Sequence, residues 1–389
     1  MASMEVKLVE YTEGRAKLLV PEKSLTSNVP PMEPAFFNPR GVENRDISMI
    51  VYETFCGKAG KSLQFLDILC GIGARGVRVA KETSVEKVYL NDVNPNAIEI
   101  AERNAEINNV REKCVFSNDY AEHFLASIRK EGKYIDIIDV DPFGTPAPYL
   151  EDTVRAVKKN GMISLTATDT PVLCGIHPNT ALRKYYGRSL RTEYCHEIGI
   201  RLLYGALAFA AARYDRGIKP VFSHSTRHYL RVYAIIEDGA EEGDRSLEEI
   251  GYIGHCSVCH ERMVLRKNFG QCRRCGQNLD VAGPLWVGKI FEKDFVKAME
   301  DTAIKLGYRS YLKMINLAYS EADGPVSYYL VSELCDRLQV SMPATEKVIE
   351  KIREKGYFAS RTILNNKGIR TDAPSETIED ILLKLARIG

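Results

Sequence analysis

An open α/β sheet domain followed by a smaller α+β domain is the fold class that three stretches of this 389-residue chain predict. The first, Tyr134 to Pro146, reads YIDIIDVDPFGTP: an apolar run that stops abruptly at two acids, a proline, an aromatic and a glycine. The second, SLQFLDILCGIGARG, is a strand pattern running into a glycine turn. The third is a pair of CxxC knuckles at Cys256, Cys259, Cys272 and Cys275, set in a C-terminal third that has its own helical periodicity.

Composition narrows the class of protein before any motif is read. Hydrophobic residues make up 45% and charged residues 27%, the balance of a globular protein with room for two or three cores. No apolar run approaches the roughly 20 residues of a membrane span, and the first residues lack a signal-peptide core, so a cytoplasmic protein is expected. Net charge is +1, but it is unevenly spread. Residues 251–389 hold 21 Lys and Arg against 17 Asp and Glu, while the first 250 hold 32 against 35, a mild pointer to an anionic partner for the C-terminal part. Ten cysteines in so long a chain do not make a disulfide scaffold. Nothing calls for an obligate protein partner.

Taken in order, residues 5–20 alternate enough for one or two short strands. Asn28 to Arg40, with four prolines, is a rigid surface loop carrying Phe36 and Phe37. A helix from Asp46 to Gly57 leads to a strand from Leu63 to Cys70, after which Gly71, Gly73 and Gly76 spell GxGxxG before a helix. These glycines let the backbone approach a nucleotide at a helix N-terminus, and they suit NAD as well as S-adenosylmethionine. Asp67 favours the second. A carboxylate there takes up the cationic amino-acid end of S-adenosylmethionine but would repel a pyrophosphate. Asp92, at the end of the next strand (Val88 to Leu90), is placed for ribose hydroxyls in either class.

A helix from Asn94 to Asn108 and a short strand at Cys114 to Phe116 lead to Asp119, Tyr120 and Ala121. Asp119 either accepts from an adenine amine or caps the helix Ala121 to Arg129; spacing leaves both open. The strand Ile135 to Val140 then delivers Asp139, Asp141 and Phe143 into a loop, acid and aromatic suited to gripping a flat, amine-bearing ring. A helix from Leu150 to Lys158 and a strand from Gly161 to Thr168 continue the βαβ spacing. Asp169 to Asn179 is expected as a long loop walling the substrate. A helix from Tyr194 to Tyr214, strands Pro220 to His224 and Tyr229 to Ile236, and a linker from Asp238 to Asp244 close the first domain.

The four clustered cysteines, CxxC-x12-CxxC, predict a closed structural zinc site, with His255 and His260 as possible substitutes for one ligand. Beyond them, Val326, Leu330, Leu334 and Leu338 share a helix face, Ser341 stands as the cap of a second helix, and Tyr357 to Thr371 reads as a hairpin with its tip at Asn365 to Gly368. Helix, turn, helix, hairpin is a winged-helix-like layout. Lys347, Lys351, Arg353, Lys355, Arg361, Lys367 and Arg370 make it a candidate phosphate-contacting surface; a solvated face balanced by Glu346, Glu350 and Glu354 is the other reading of its helix.

The assembled sequence resembles the tRNA guanine N2-dimethyltransferases, which methylate guanosine 26 of tRNA. The resemblance runs through FFNPR at 36–40, NRD at 44–46, NDVNPNA at 91–97, DVDPFGTP at 139–146, LTATDTPVLCGIHP at 165–178, CHEIGIR at 195–201 and GPLWVG at 283–288. It implies a Rossmann-like class I S-adenosylmethionine-dependent methyltransferase domain with an N-terminal extension over residues 1–238. It implies a C-terminal tRNA-binding domain over 239–389, holding the zinc knuckle at 254–278 and the winged-helix-like segment at 320–375. Asp141 is then the acceptor for the guanine amine, and Phe143 and Phe36 sandwich the base. Arg45, Arg75, Asp92, Tyr120 and Ala121 contact the cofactor beside Asp67 and Asp119. Other readings share parts of the pattern: a different tRNA or rRNA guanine N2-methyltransferase, an NAD-dependent dehydrogenase, or a nucleic-acid binder with an inactive methyltransferase domain.

Overall fold

The computed structural model describes residues 7–387 except 61, 227 and 267–269. Backbone packing divides the chain into two compact units that interleave along the sequence. One comprises Met1–Thr166, Tyr233–Glu237 and Ala298–Tyr311, the other Ala167–Val232, Asp238–Lys297 and Leu312–Gly389.

In the first unit, β1 (Leu8–Glu13) and β2 (Ala16–Pro21) form an antiparallel hairpin. The proline-rich loop and the helix Val42–Ala59 follow. Then come β3 (Gln64–Asp67), β4 (Lys87–Asn91), β5 (Cys114–Ser117), β6 (Ile135–Val140) and β7 (Val157–Ala167), alternating with helices Ala74–Glu82, Pro95–Ile107, Ala121–Lys130 and Leu150–Ala156. The seven-stranded sheet of the chain, which also takes in β8 (Arg216–Ser225) and β9 (Leu230–Asp238), has the strand order β5-β4-β3-β6-β7-β9-β8. The ladders β4–β5, β3–β4, β3–β6 and β6–β7 are parallel. Ile135, Ile137, Ile138 and Val140 have no exposed surface, as a strand covered on both faces requires. Strand order reverses between β3 and β6, so the carboxyl ends of these two strands flank the switch point at which open α/β sheets bind ligands.

In the second unit, β10 (Ile250–His255), β11 (Arg262–Leu265) and β12 (Asp280–Trp286) form an antiparallel sheet in the order β11-β10-β12. The C-terminal part has β13 (Tyr329–Leu330), helices Val331–Leu338 and Thr345–Glu354, the hairpin β14 (Ala359–Thr362) and β15 (Asn365–Thr371), and the helix Ser375–Ala386. Val331, Leu334, Val348, Ile352, Ile369, Ile378 and Leu382 share one core, so the last helix completes this winged-helix-like layer.

Five local expectations are corrected. Asp238 to Asp244 is no linker: Gly239, at φ 129°, turns the chain into a helix over Ala240–Glu248. Its acids Glu241 and Glu242 lie in the first turn, where the helix dipole favours them, and buried Ser246 accepts from the Ile218 N–H at 2.9 Å. Asp169 to Asn179 is not one long loop, because Pro171 and Pro178 sit in the opening turns of helices Thr170–Leu173 and Pro178–Tyr185, where proline's missing N–H costs nothing. Val326 lies outside the helix that Leu334 and Leu338 share, since Ser327 at φ 69° interrupts the chain. The next helix is capped at Ala344 rather than Ser341, because Pro343 disfavours a helical Met342. The hairpin turns at Ile363-Leu364, not at the Asn-Gly stretch: Thr362 pairs with Asn365, and the Ile363 N–H is held by Glu321 at 2.8 Å.

Candidate active site and metal centre

Asp67 ends β3 and Asp139 lies opposite it in β6. Only 2% of Asp67 is exposed, and its Oδ1 has no hydrogen-bond partner. Burial, with the neighbouring charges of Asp139 and Asp141, pushes its carboxyl well above the ordinary range, and Arg75 pulls the other way. An orphaned, buried carboxylate oxygen is an expensive feature unless a ligand completes it.

The turn that follows is built for close approach. Gly71 has φ 52°, and a Cβ there would stand 3.2 Å from the Phe36 carbonyl oxygen; Gly73, at φ 73°, caps the helix Ala74–Glu82. Asp92, after β4, binds this turn: its Oδ2 accepts from the Gly71 N–H at 2.8 Å and its Oδ1 from the Asn94 N–H at 2.9 Å. Asn94 in turn donates to the Pro34 carbonyl at 2.7 Å, which ties the proline-rich loop to the cofactor turn. Asp119 accepts from the Tyr120 N–H at 2.8 Å, and the helix Ala121–Lys130 has no side-chain cap. Tyr120 is exposed and Ala121 buried at that helix's first residues.

Arg75 stands at the centre. Its guanidinium binds Asp139 at 2.8 Å, Asp141, Ser48 Oγ at 2.7 Å and Asn44 Oδ1 at 3.1 Å. Asp139 also accepts from Tyr52 at 2.8 Å and Ser164 at 2.7 Å. Asp139, expected in the loop beside Asp141, is instead fully buried within β6, and sequence reading passed over Asn44 and Ser48 because they join it only through the fold. The one available signal was an arginine inside a glycine turn facing a strand rich in acids.

Asp141 is 32% exposed at its side chain, the accessible member of the group. Phe143 beside it is 60% exposed and meets Phe36 edge to face, with centroids 4.5 Å apart and planes at 83°. The two rings that the sequence assigned to either side of a base therefore touch each other. A ring stacked between them needs about 7 Å, two van der Waals spacings, so one of them has to swing aside. Phe143 sits on the loop that Gly144 turns at φ 79°.

Arg45 is placed differently from the other candidates. It is buried and binds both oxygens of Glu13 at 2.6 Å, donates to the Asn38 carbonyl at 2.9 Å and lies 5.1 Å from the Phe37 ring centroid. These contacts fasten the aromatic loop.

The cysteines form a separate centre. Ligand atoms of Cys256, Cys259, Cys272 and Cys275 all lie within 4.8 Å of one another, with sulfur pairs at 3.4 and 3.5 Å. Tetrahedral zinc with bonds of about 2.3 Å needs sulfurs about 3.8 Å apart, so the four fit the ion. The knuckles repeat each other: Cys256 and Cys272 each begin a turn closed by His260 N–H and Gly276 N–H at 2.9 Å, with positive φ at both closing residues. Burial opposes ionisation of Cys256, but the Cys259 and Val258 N–H groups bring its thiol down to about 7. His255 and His260 instead group with Glu193.

A parallel sheet whose switch point carries Asp67, a glycine turn and Asp92, beside an accessible strand-end Asp141 and Phe143, defines a class I S-adenosylmethionine-dependent methyltransferase. The profile of the N2,N2-dimethylguanosine tRNA methyltransferases matches residues 14–383, and the chain belongs to that family. It is 38% identical over 390 residues to the tRNA (guanine(26)-N(2))-dimethyltransferase of Methanosphaera stadtmanae, covering 98% of each chain. It is 35% identical over 386 residues to the tRNA (guanine(26)-N(2)/guanine(27)-N(2))-dimethyltransferase of Aquifex aeolicus, covering 97% of this chain and 95% of that one. Among solved structures, the complex of Trm1 from Pyrococcus horikoshii with S-adenosyl-L-methionine matches with a TM-score of 0.82 at 32% identity, over 96% of this chain and all of that one.

Proposed function

We propose that this chain transfers methyl groups from S-adenosylmethionine to the exocyclic amine of guanosine 26 in tRNA, giving N2-methyl- and then N2,N2-dimethylguanosine. The observation that carries the reading is the accessible Asp141, fixed by Arg75 at the switch point with Phe143 and Phe36 beside it, in a chain of this family.

The guanine amine is a poor nucleophile, because its lone pair is delocalised into the ring. The protein's tasks are to place it in line with the methyl and to take its hydrogens. S-adenosylmethionine supplies the electrophilic methyl on a sulfonium. Asp67 would hold its cationic amino-acid end, Asp92 its ribose, and Asp119 with the Tyr120 and Ala121 backbone its adenine. Asp141 accepts the amine's hydrogen bond and then its proton, and the Arg75 guanidinium holds that carboxylate in place. Phe143 stacks on a base that has left the tRNA helix, once it parts from Phe36. Arg45 positions the Phe36 loop through the Asn38 carbonyl.

In this reading residues 1–238 are catalytic and residues 239–389 bind tRNA around a structural zinc. Among the described residues no helix is long and apolar enough to cross a membrane. A cytoplasmic location belongs to this reading and is supported by a tRNA substrate. Acceptance of guanosine 27 as well would follow the Aquifex aeolicus relative. Nucleoside analysis of a transcript carrying guanosine at both positions tests that point.

A further inference from the structure

We infer that a basic surface on residues 176–191 holds tRNA phosphates; the inference rests on the tRNA reading above and locates where that substrate is gripped. The charge is uncompensated by sequence. From Thr170 to Thr192 there is no Asp or Glu, against Arg183, Lys184, Arg188 and Arg191. It is also uncompensated in space. Arg183, Arg188 and Arg191 are exposed, and among the described residues none of them has an ion pair. Two guanidiniums are aimed by neutral acceptors, Arg183 by Thr180 Oγ1 at 3.2 Å and Arg188 by Asn179 Oδ1 at 3.1 Å. Among the described residues, only Lys184 of the four meets an acid, Asp169, at 3.4 Å.

The winged-helix-like segment, which the sequence put forward for this task, is more neutral than its composition. Arg370 is fully buried between Glu197 and Glu321, both at 2.8 Å. Arg361 pairs with Glu346 at 2.5 Å and Lys351 with Glu354 at 2.7 Å. An arginine already paired with a carboxylate releases few counterions when a phosphate arrives, whereas one held by a neutral oxygen keeps its full charge for it. Arg183 and Arg188 are therefore oriented and charged for a polyanion, and Arg191 adds a third cation on the same short segment.

The test measures the affinity of full-length protein for unmodified tRNA transcript across a salt series. It compares wild type, the triple variant Arg183→Ala, Arg188→Ala, Arg191→Ala, the corresponding triple Arg→Lys variant, and Lys351→Ala with Arg361→Ala. Loss of three phosphate contacts should lower the slope of log affinity against log salt by about 2 and weaken binding at least tenfold at moderate salt. S-adenosylmethionine affinity should be unchanged, and the Arg→Lys variant should keep most of the slope, which a merely structural role of the guanidiniums would not restore. The Lys351 and Arg361 changes should have the smaller effect. A triple Ala variant with wild-type slope and affinity, beside an active wild type, would overturn the surface alone. A wild type that methylates no tRNA would remove the functional reading first and the occupant with it.

Discussion

Replacing Asp67 by Asn should make the free protein more stable and its cofactor binding worse. Three carboxylates, Asp67, Asp139 and Asp141, act on one another around the single Arg75 guanidinium, and Asp67 is the most costly because its Oδ1 is buried without a partner. Asn is isosteric and removes that charge. Relief of this buried charge, which Asp139 and Asp141 repel, is worth about 1–3 kcal/mol, which raises the thermal midpoint by about 2–4 °C per kcal/mol for a unit of roughly 150–250 residues. The sign with pH follows from the raised carboxyl. Its folded-state value lies above the unfolded one, so the folded state carries no penalty below about pH 4, where both forms are protonated, and loses stability as pH rises toward the folded-state value. The variant's advantage should therefore be absent near pH 3 and grow from about pH 4 upward. A charge-assisted hydrogen bond to the cofactor's ammonium is worth about 1.5–3 kcal/mol, so S-adenosylmethionine should bind roughly ten- to a hundredfold more weakly. Thermal scanning with and without S-adenosylmethionine reads both effects at once. A variant with a lower midpoint when free and an undiminished shift with S-adenosylmethionine would refute the assignment of Asp67.

Other perturbations separate the remaining roles. Asp141→Ala should abolish methyl transfer while leaving S-adenosylmethionine affinity near that of wild type, as read by turnover and calorimetry; loss of both together would undercut its role as acceptor. Arg370→Met should cost about 3–5 kcal/mol in urea unfolding, because buried Glu321 loses its ion pair and buried Glu197 keeps only Arg201, at 2.9 Å. Burial alone would raise Glu197, yet Arg370 and Arg201 hold it at about 2. It therefore contributes stability above its unfolded value near 4.3 that is lost as pH falls toward 2, and the variant should lose the Arg370 share of this contribution while Arg201 keeps the rest. Replacing Cys256 and Cys272 by serine should release zinc and unfold the region around β10 to β12 before it affects S-adenosylmethionine binding, which metal analysis and hydrogen exchange distinguish.

The parts legible in the sequence are those whose cause is local. Ile135 to Val140 announces a buried parallel strand because Ile135 and Ile137 lie on one face and Ile138 and Val140 on the other, and the glycine turn and cysteine spacing encode their own geometry. The structure brings Asp67, Asp92 and Asp141 to one sheet edge as that reading implied. Contacts between distant positions were not legible. Nothing in the spacing of Asn44, Ser48, Arg75 and Asp139 says that one guanidinium joins them, and nothing in FFNPR says that Phe36 rests on Phe143. The seven basic residues of the winged-helix-like segment show the same limit: composition counts charges, but only the fold decides that Arg370 is buried and Arg361 paired. Acid-rich 238–244 misled in the opposite direction, since acids at a helix start look like a linker until the buried face of Ser246 is seen.

The central claim is the reaction itself, and the most direct measurement is transfer of labelled methyl from S-adenosylmethionine to unmodified tRNA transcripts with guanosine or adenosine at position 26, followed by identification of the product nucleoside. The expected result is N2,N2-dimethylguanosine from the first transcript and no label at that position in the second. Equal labelling of both transcripts, or none of either, would contradict it.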